Sequence, residues 1–145
     1  MLRASCLRSL PAGFDLNRIQ PVSLAYLGDA VFEAACREKL LWPPTKVNEL
    51  SSAVQAIVCA EGQYKILQRV LEGFDLSDDE HEWLRRGRNA SGRGPRRLEP
   101  KVYRASTSFE TLVGVLHLTD SKRLDEFLDF VFDEGIIAEL PPSEA

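Results

Sequence analysis

The chain has 145 residues, 44% of them hydrophobic and 28% charged, which suits one domain with a real core and leaves no room for two well-built ones. No apolar run approaches the roughly 20 residues that a membrane span requires, and Cys6, Cys36 and Cys59 are too few and too scattered for a disulfide scaffold. The formal charge of −4 argues against a polyanionic partner until it is mapped along the chain: Arg85 to Arg104 holds eight cations against the single acid Glu99, a net of +7, leaving −11 for the rest.

The opening MLRASCLRSL bears arginine and no acid, as a transit peptide does, but it is short and has no apolar secretory core. Residues 1–15 are expected to be a flexible end. Pro21 suits the first turn of a helix, and Leu24, Leu27, Val31 and Ala35 follow at helical spacing until Trp42, Pro43 and Pro44 stop the run. Thr45 is expected to cap a second helix reaching about Leu71 and closed by Gly73, with Val47, Leu50, Val54, Ile57, Ile66 and Val70 as its apolar stripe. Ser77 and Glu80 form a capping box opening a short helix that carries Trp83 and Leu84 and is expected to end at Gly87. Arg88 to Pro100, with Gly92, Gly94 and Pro95 and no apolar periodicity, reads as an exposed, mobile loop. Helix resumes near Lys101 with Ala105, Phe109, Leu112 and Leu116, and again with Leu124, Phe127, Leu128, Val131 and Phe132 before Gly135. Residues 141–145 read as a tail. No alternating strand pattern occurs, so the expectation is an all-α fold, one domain over residues 1–145.

Helical geometry places Val22, Ala25, Asp29 and Glu33 on one stripe of the first helix, and Thr107, Glu110, Gly114 and His117 on one stripe of the later one. Each helix therefore offers a carboxylate beside a glycine-bearing stretch, Asp29 on the first and Glu110 on the later. Gly28 and Gly114 cost helix propensity but remove side chains where two helices would cross closely, and if they cross there Asp29 and Glu110 meet. Facing carboxylates repel unless a cation bridges them, and an oxygen-only site with room for water suits Mg2+. Spacing alone favours the plainer reading, in which both acids are solvated charges on outer helix faces. His81 and His117 lack the paired ligands of a zinc site, and neither a phosphate-binding glycine loop nor a nucleophile elbow is present.

The string SLAYLGDAVFE, Ser23 to Glu33, resembles the signature helix of the ribonuclease III family, and STSFETLVGVLHL, Ser106 to Leu118, resembles its second acidic helix. With no double-stranded RNA-binding domain following, the resemblance is to the Mini-ribonuclease III branch. It implies the ribonuclease III endonuclease-domain fold and a magnesium-dependent endoribonuclease that cuts double-stranded RNA, with Asp29 and Glu110 as catalytic, metal-binding acids and Glu49 as a third candidate ligand. Larger family members carry further acids one turn before each of the pair; here those places hold Ala25 and Thr107, so more coordination falls to water and RNA phosphate. The resemblance also implies a homodimer packed through signature helices, with Tyr26 at the interface; burial of Tyr26 within its own protomer is the competing expectation. Duplex RNA is read through phosphates and 2′-hydroxyls, for which Arg85, Arg86, Arg88, Arg93, Arg96, Arg97, Lys101 and Arg104 are the candidates. The branch implies large-subunit ribosomal RNA precursor as substrate and the cytoplasm as location. Two rivals stand beside this reading: a catalytically silent RNA-binding or ribosome-associated module on the same fold, and a helical protein-interaction domain.

Overall fold

The computed structural model describes residues 10–138 and residue 140, and among these there is no strand. Asp15, whose carboxylate accepts from the Asn17 amide, opens a single 3-10 turn over Leu16–Arg18. Seven helices follow: α1 (Pro21–Leu40), α2 (Val47–Val58), α3 (Ala60–Gly73), α4 (Asp78–Ala90), α5 (Pro100–Thr119), α6 (Ser121–Val131) and α7 (Glu134–Ala138). The all-α expectation holds, as do the bounds of the first helix. Of the two expected flexible ends, residues 1–9 and 141–145 lie outside the described residues, whereas Asp15 is a helix cap.

The expected second helix is two helices. Cys59 adopts an extended conformation (φ −63°, ψ 161°), ending α2 and capping α3, with its Sγ accepting from the Gly62 amide at 3.4 Å. A Cβ at Gly62 would lie 2.5 Å from the Ile57 carbonyl oxygen, so only glycine lets the chain turn back so tightly. The apolar periodicity runs through the break because both helices present one face to the same core. Lys46, not Thr45, occupies the cap of α2, and Val47 is 73% exposed rather than part of the stripe.

The Ser77–Glu80 capping box is present in both directions, at 2.8 and 3.1 Å. The helix it opens continues through Gly87 to Ala90, however. Gly87 is buried against α5, where a Cβ would meet Thr111 Oγ1 at 2.5 Å and the Ser108 Cα at 3.0 Å. Its glycine serves close approach between α4 and α5, so the loop shrinks to residues 91–99. That loop is folded back on the core: Leu98 is buried, the Arg104 Nε donates to the Gly92 carbonyl at 3.2 Å, and Gly94 (φ +78°) sits where a Cβ would overlap the Tyr103 ring.

α5 is the central helix. Apart from Glu110, every residue from Ser106 to Leu116 is buried, and a helix buried on all sides must satisfy its polar groups internally. It does so: Ser108 donates to the Leu84 carbonyl at 2.6 Å, Thr111 to the Thr107 carbonyl at 2.7 Å, and Ser106 and Thr107 to the Tyr103 carbonyl. The core around it is aromatic, with Phe32 edge-on to Phe109 at 4.8 Å and Phe109 beside Phe127 at 5.7 Å. Arg123 of α6 closes the lower edge by forking onto the buried Glu80 carboxylate at 2.8 Å through both Nε and Nη2, which holds Glu80 below its ordinary carboxylate range.

Candidate active site

α1 crosses α5 with backbone against backbone. A Cβ at Gly28 would lie 1.8 Å from the Glu110 carbonyl oxygen and 2.9 Å from the Gly114 amide nitrogen; one at Gly114 would lie 2.1 Å from the Leu24 carbonyl oxygen. Two glycines, one on each helix, thus permit an approach that no other residue pair allows. Ala25 and Thr107 are buried beside this crossing, each 6% exposed. Both stripes that read as polar helix faces are therefore packed on one another for part of their length, and the small residues at positions 25 and 107 are accommodated where an acid would be buried.

The crossing brings Asp29 and Glu110 together. Asp29 is exposed at the rim and Glu110 is half-buried. Burial, then the hydrogen bond and charge of the adjacent Asp29, push the Glu110 carboxyl up to about 8, against a smaller downward pull from the Gln63 amide. Gln63 is itself 1% exposed, donates to the Val58 carbonyl at 3.1 Å, and leaves its Oε1 without a partner. Sequence reasoning missed Gln63, because a glutamine inside an amphipathic stripe gives no periodic signal. Near neutral pH Glu110 thus holds a proton against the negative charge of Asp29 beside it, a state that a divalent cation would displace.

Glu49 stands exposed in the first turn of α2, and among the described residues no group of three or more His, Cys, Asp or Glu could hold a metal ion. The acid pair stands without it. Tyr26 is 84% exposed, which excludes burial within its own protomer and places it on the same outer stripe of α1 as Val22 and Asp29. Cys36 is fully buried, its thiol pushed up to about 12 by burial, and Cys59 is half-buried as the cap of α3; Cys6 lies outside the described residues.

The eight cations of the Arg85–Arg104 segment do not form one surface. Arg86 donates to Glu82 at 3.2 Å and to Asn17 at 3.1 Å, with its guanidinium 4.7 Å over the Trp83 ring. Arg93 donates to the Pro95 carbonyl at 3.0 Å, and Arg96 and Arg97 are exposed on the loop. Arg85, Arg88, Lys101 and Arg104 instead surround a cavity between α3, α4 and α5.

Residues 22–121 match the ribonuclease III domain. The chain belongs to the ribonuclease III family. Its likeness is to the family's short branch: it is 47% identical over 116 residues to a Mini-ribonuclease 3 of Synechocystis, covering 80% of each chain, and 45% identical over 106 residues to that of Gloeobacter violaceus, covering 73% of this chain and 77% of the relative. A crystal structure of a Fusobacterium nucleatum protein superposes with a TM-score of 0.73 at 24% identity, over 82% of this chain and 98% of the other, and supports the fold. The chain is accordingly an endoribonuclease of the ribonuclease III family. No helix among the described residues is long and apolar enough to cross a membrane.

Proposed function

We propose that this ribonuclease III family member cleaves double-stranded RNA at the Asp29–Glu110 pair, using Mg2+, as a cytoplasmic homodimer that matures the large-subunit ribosomal RNA precursor. The observation that carries the reading is the meeting of two carboxylates across the Gly28–Gly114 crossing, where burial and then the adjacent Asp29 push the Glu110 carboxyl up. The two carboxylates are oxygen donors, and Asp29 is exposed to solvent, which suits a hard divalent ion that keeps waters in its coordination shell. When bound, such an ion supplies positive charge to the scissile phosphodiester and lowers the pKa of an attacking water.

The chain's own residues do the rest. Glu110, fixed by the buried crossing, is the anchored ligand, and Asp29, at the solvent edge, orients the water or completes the ligation; Glu49 is left as an outer candidate. With Ala25 and Thr107 at the neighbouring positions, the two acids leave most of the coordination to water and RNA phosphate, so magnesium affinity in the free protein is expected to be weak. Products are expected to carry 5′-phosphate and 3′-hydroxyl ends. Of the cations of the 85–104 segment, Arg93, Arg96 and Arg97, exposed on the loop, are placed to reach duplex phosphates. The exposed Val22 and Tyr26, on the stripe that also carries Asp29, are the surface through which two signature helices would pack and set two acid pairs across one valley. The deciding test is cleavage of a long duplex and of a large-subunit precursor stem with and without magnesium. Magnesium-dependent cuts in the duplex support the activity, and preference for the precursor stem supports the substrate; no cleavage of either with magnesium present overturns the reading.

A further inference from the structure

The cavity between α3, α4 and α5 encloses about 530 Å³, within the roughly 300–1,000 Å³ of small-ligand sites. Leu67, Leu84 and Ala105 are among its apolar lining residues, and Tyr64 stands at one side with the Lys101 ammonium 6.0 Å over its ring. Arg85, Arg88, Lys101 and Arg104 supply four positive charges, and no carboxylate lines it. Arg85 is neutralised outside the cavity by Glu82, and Lys101 by Glu99 at 3.5 Å. Arg88 and Arg104 have no carboxylate partner among the described residues. In a chain whose net charge is −4, Arg88 and Arg104 are thus two cations without a carboxylate partner at a cavity that no acid lines, and an entering anion would supply the counter-charge.

The cavity is not the acid site. At 100° per residue, Lys101, Arg104, Ala105 and Ser108 occupy the face of α5 roughly opposite Glu110 and Gly114, so a group bound there cannot reach the carboxylate pair of its own protomer. A double helix is too wide to enter such a pocket, whereas a single nucleotide is not. Its base fits an apolar floor edged by a tyrosine ring, since every base has a π-face for stacking. Its phosphate fits paired guanidinium forks, which bind phosphate in a bidentate way.

We propose that the α3–α4–α5 cavity is a binding site for one nucleoside 5′-phosphate, with the base against Tyr64 and the phosphate between Arg88 and Arg104. The ligand chemistry is the same whether the nucleotide is free or is the 5′-phosphorylated end of an RNA strand. The site is independent of the acid pair, so its test does not depend on cleavage.

The full chain is titrated calorimetrically, at one fixed salt concentration, with adenosine 5′-monophosphate, adenosine and inorganic phosphate, and with a short single-stranded RNA carrying either a 5′-phosphate or a 5′-hydroxyl. The monophosphate should bind at least about tenfold tighter than adenosine or phosphate, a difference of about 1.4 kcal/mol, because base and phosphate are held together. Arg88→Ala with Arg104→Ala should weaken it about tenfold or more, Tyr64→Leu should weaken the monophosphate but not phosphate, and Asp29→Asn should bind as the parent does. Arg88→Glu serves as a second variant should the double change disturb the fold. A strand that binds only with its 5′-phosphate, and tighter than the mononucleotide, identifies an RNA end as the ligand; a mononucleotide that binds tighter than either strand identifies free nucleotide. Equal binding of monophosphate and inorganic phosphate, or binding indifferent to the arginine changes in a folded variant, overturns the proposal.

Discussion

At the scale of single residues, the proposed chemistry is tested at Asp29 and Glu110 and at the backbone crossing that brings them together. Replacing Asp29 by Asn keeps size and hydrogen-bonding capacity while deleting the charge at the open edge of the pair. Single-turnover cleavage of one long duplex should fall on the order of a thousandfold or more, several kcal/mol of transition-state stabilisation, while duplex binding in calcium persists. Cleavage within tenfold of the parent would make Asp29 a surface charge. Glu110 makes a separate prediction about pH. Its carboxyl keeps a proton in the folded state up to about 8, against an ordinary value of 4.5, so between those values the folded state binds more protons than the unfolded one and stability falls as pH rises. The contribution is complete below about 4.5 and gone above about 8. In metal-free protein the melting temperature of Glu110→Gln should therefore decline less than the parent's between pH 5 and 9, and added magnesium should raise the parent's at pH 8 but not the variant's. Parallel curves for the two proteins would show that Glu110 does not hold its proton through this range. Gly28→Ala sets two effects against each other: alanine gains about 1 kcal/mol of helix propensity, but its Cβ would meet the Glu110 carbonyl oxygen at 1.8 Å and the Gly114 nitrogen at 2.9 Å. Backbone atoms cannot swing aside, so overpacking wins, at about 1–3 kcal/mol net loss, and the parted helices separate Asp29 from Glu110. A lowered melting temperature together with lost cleavage checks this; a raised one would refute the crossing.

At the scale of elements, the segment from Arg85 to Arg104 is divided in two by the way it folds. α4 carries its cations beyond Gly87, and the loop that follows is tied to α5 through Leu98, Gly94 and the Arg104–Gly92 bond. Arg93, Arg96 and Arg97 remain exposed on that loop. Replacing these three with alanine should weaken duplex binding across sequences and flatten its dependence on salt, by about one unit of slope or slightly less for each phosphate that is no longer neutralised. Melting should barely change, because apart from the Arg93 bonds to nearby carbonyls none of the three holds the loop in place. Unfolding of the triple variant with affinity intact would make the loop structural.

At the scale of the whole molecule, the chain carries the Asp29–Glu110 pair at the edge of α1, on the stripe where Val22 is 40% and Tyr26 84% exposed. A twofold axis near that stripe would cover Tyr26 and pair two acid sites for the two strands of a duplex. Light scattering of the free protein should give twice the 16.3 kDa chain mass, and Tyr26→Glu should shift it towards the monomer. A monomeric parent at micromolar concentration that still cuts both strands together would end the shared-valley arrangement.

What the sequence determined by itself was whatever acts within about one helical turn. Pro21 and the Pro43–Pro44 pair bound α1, Ser77 and Glu80 open α4, and a step of four or seven residues sets Asp29 and Glu110 on definable faces, because caps, prolines and helical period depend on neighbours in the chain. The glycines were legible only in part. Gly28 and Gly114 could be read as a crossing because each costs helix propensity beside a carboxylate, yet Gly87 read as a stop and is a packing surface, and Gly62 gave no sign of the break at Cys59. In each case the reason for the glycine is an atom that approaches from elsewhere: Thr111 at Gly87, the Ile57 carbonyl at Gly62. Tertiary structure alone decided that the Thr107–Gly114 face is buried, that Gln63 lies against Glu110, and that four of eight cations turn to the far side of α5. Burial and electrostatic environment are properties of the space between helices, and periodicity along one helix does not specify what comes to fill that space.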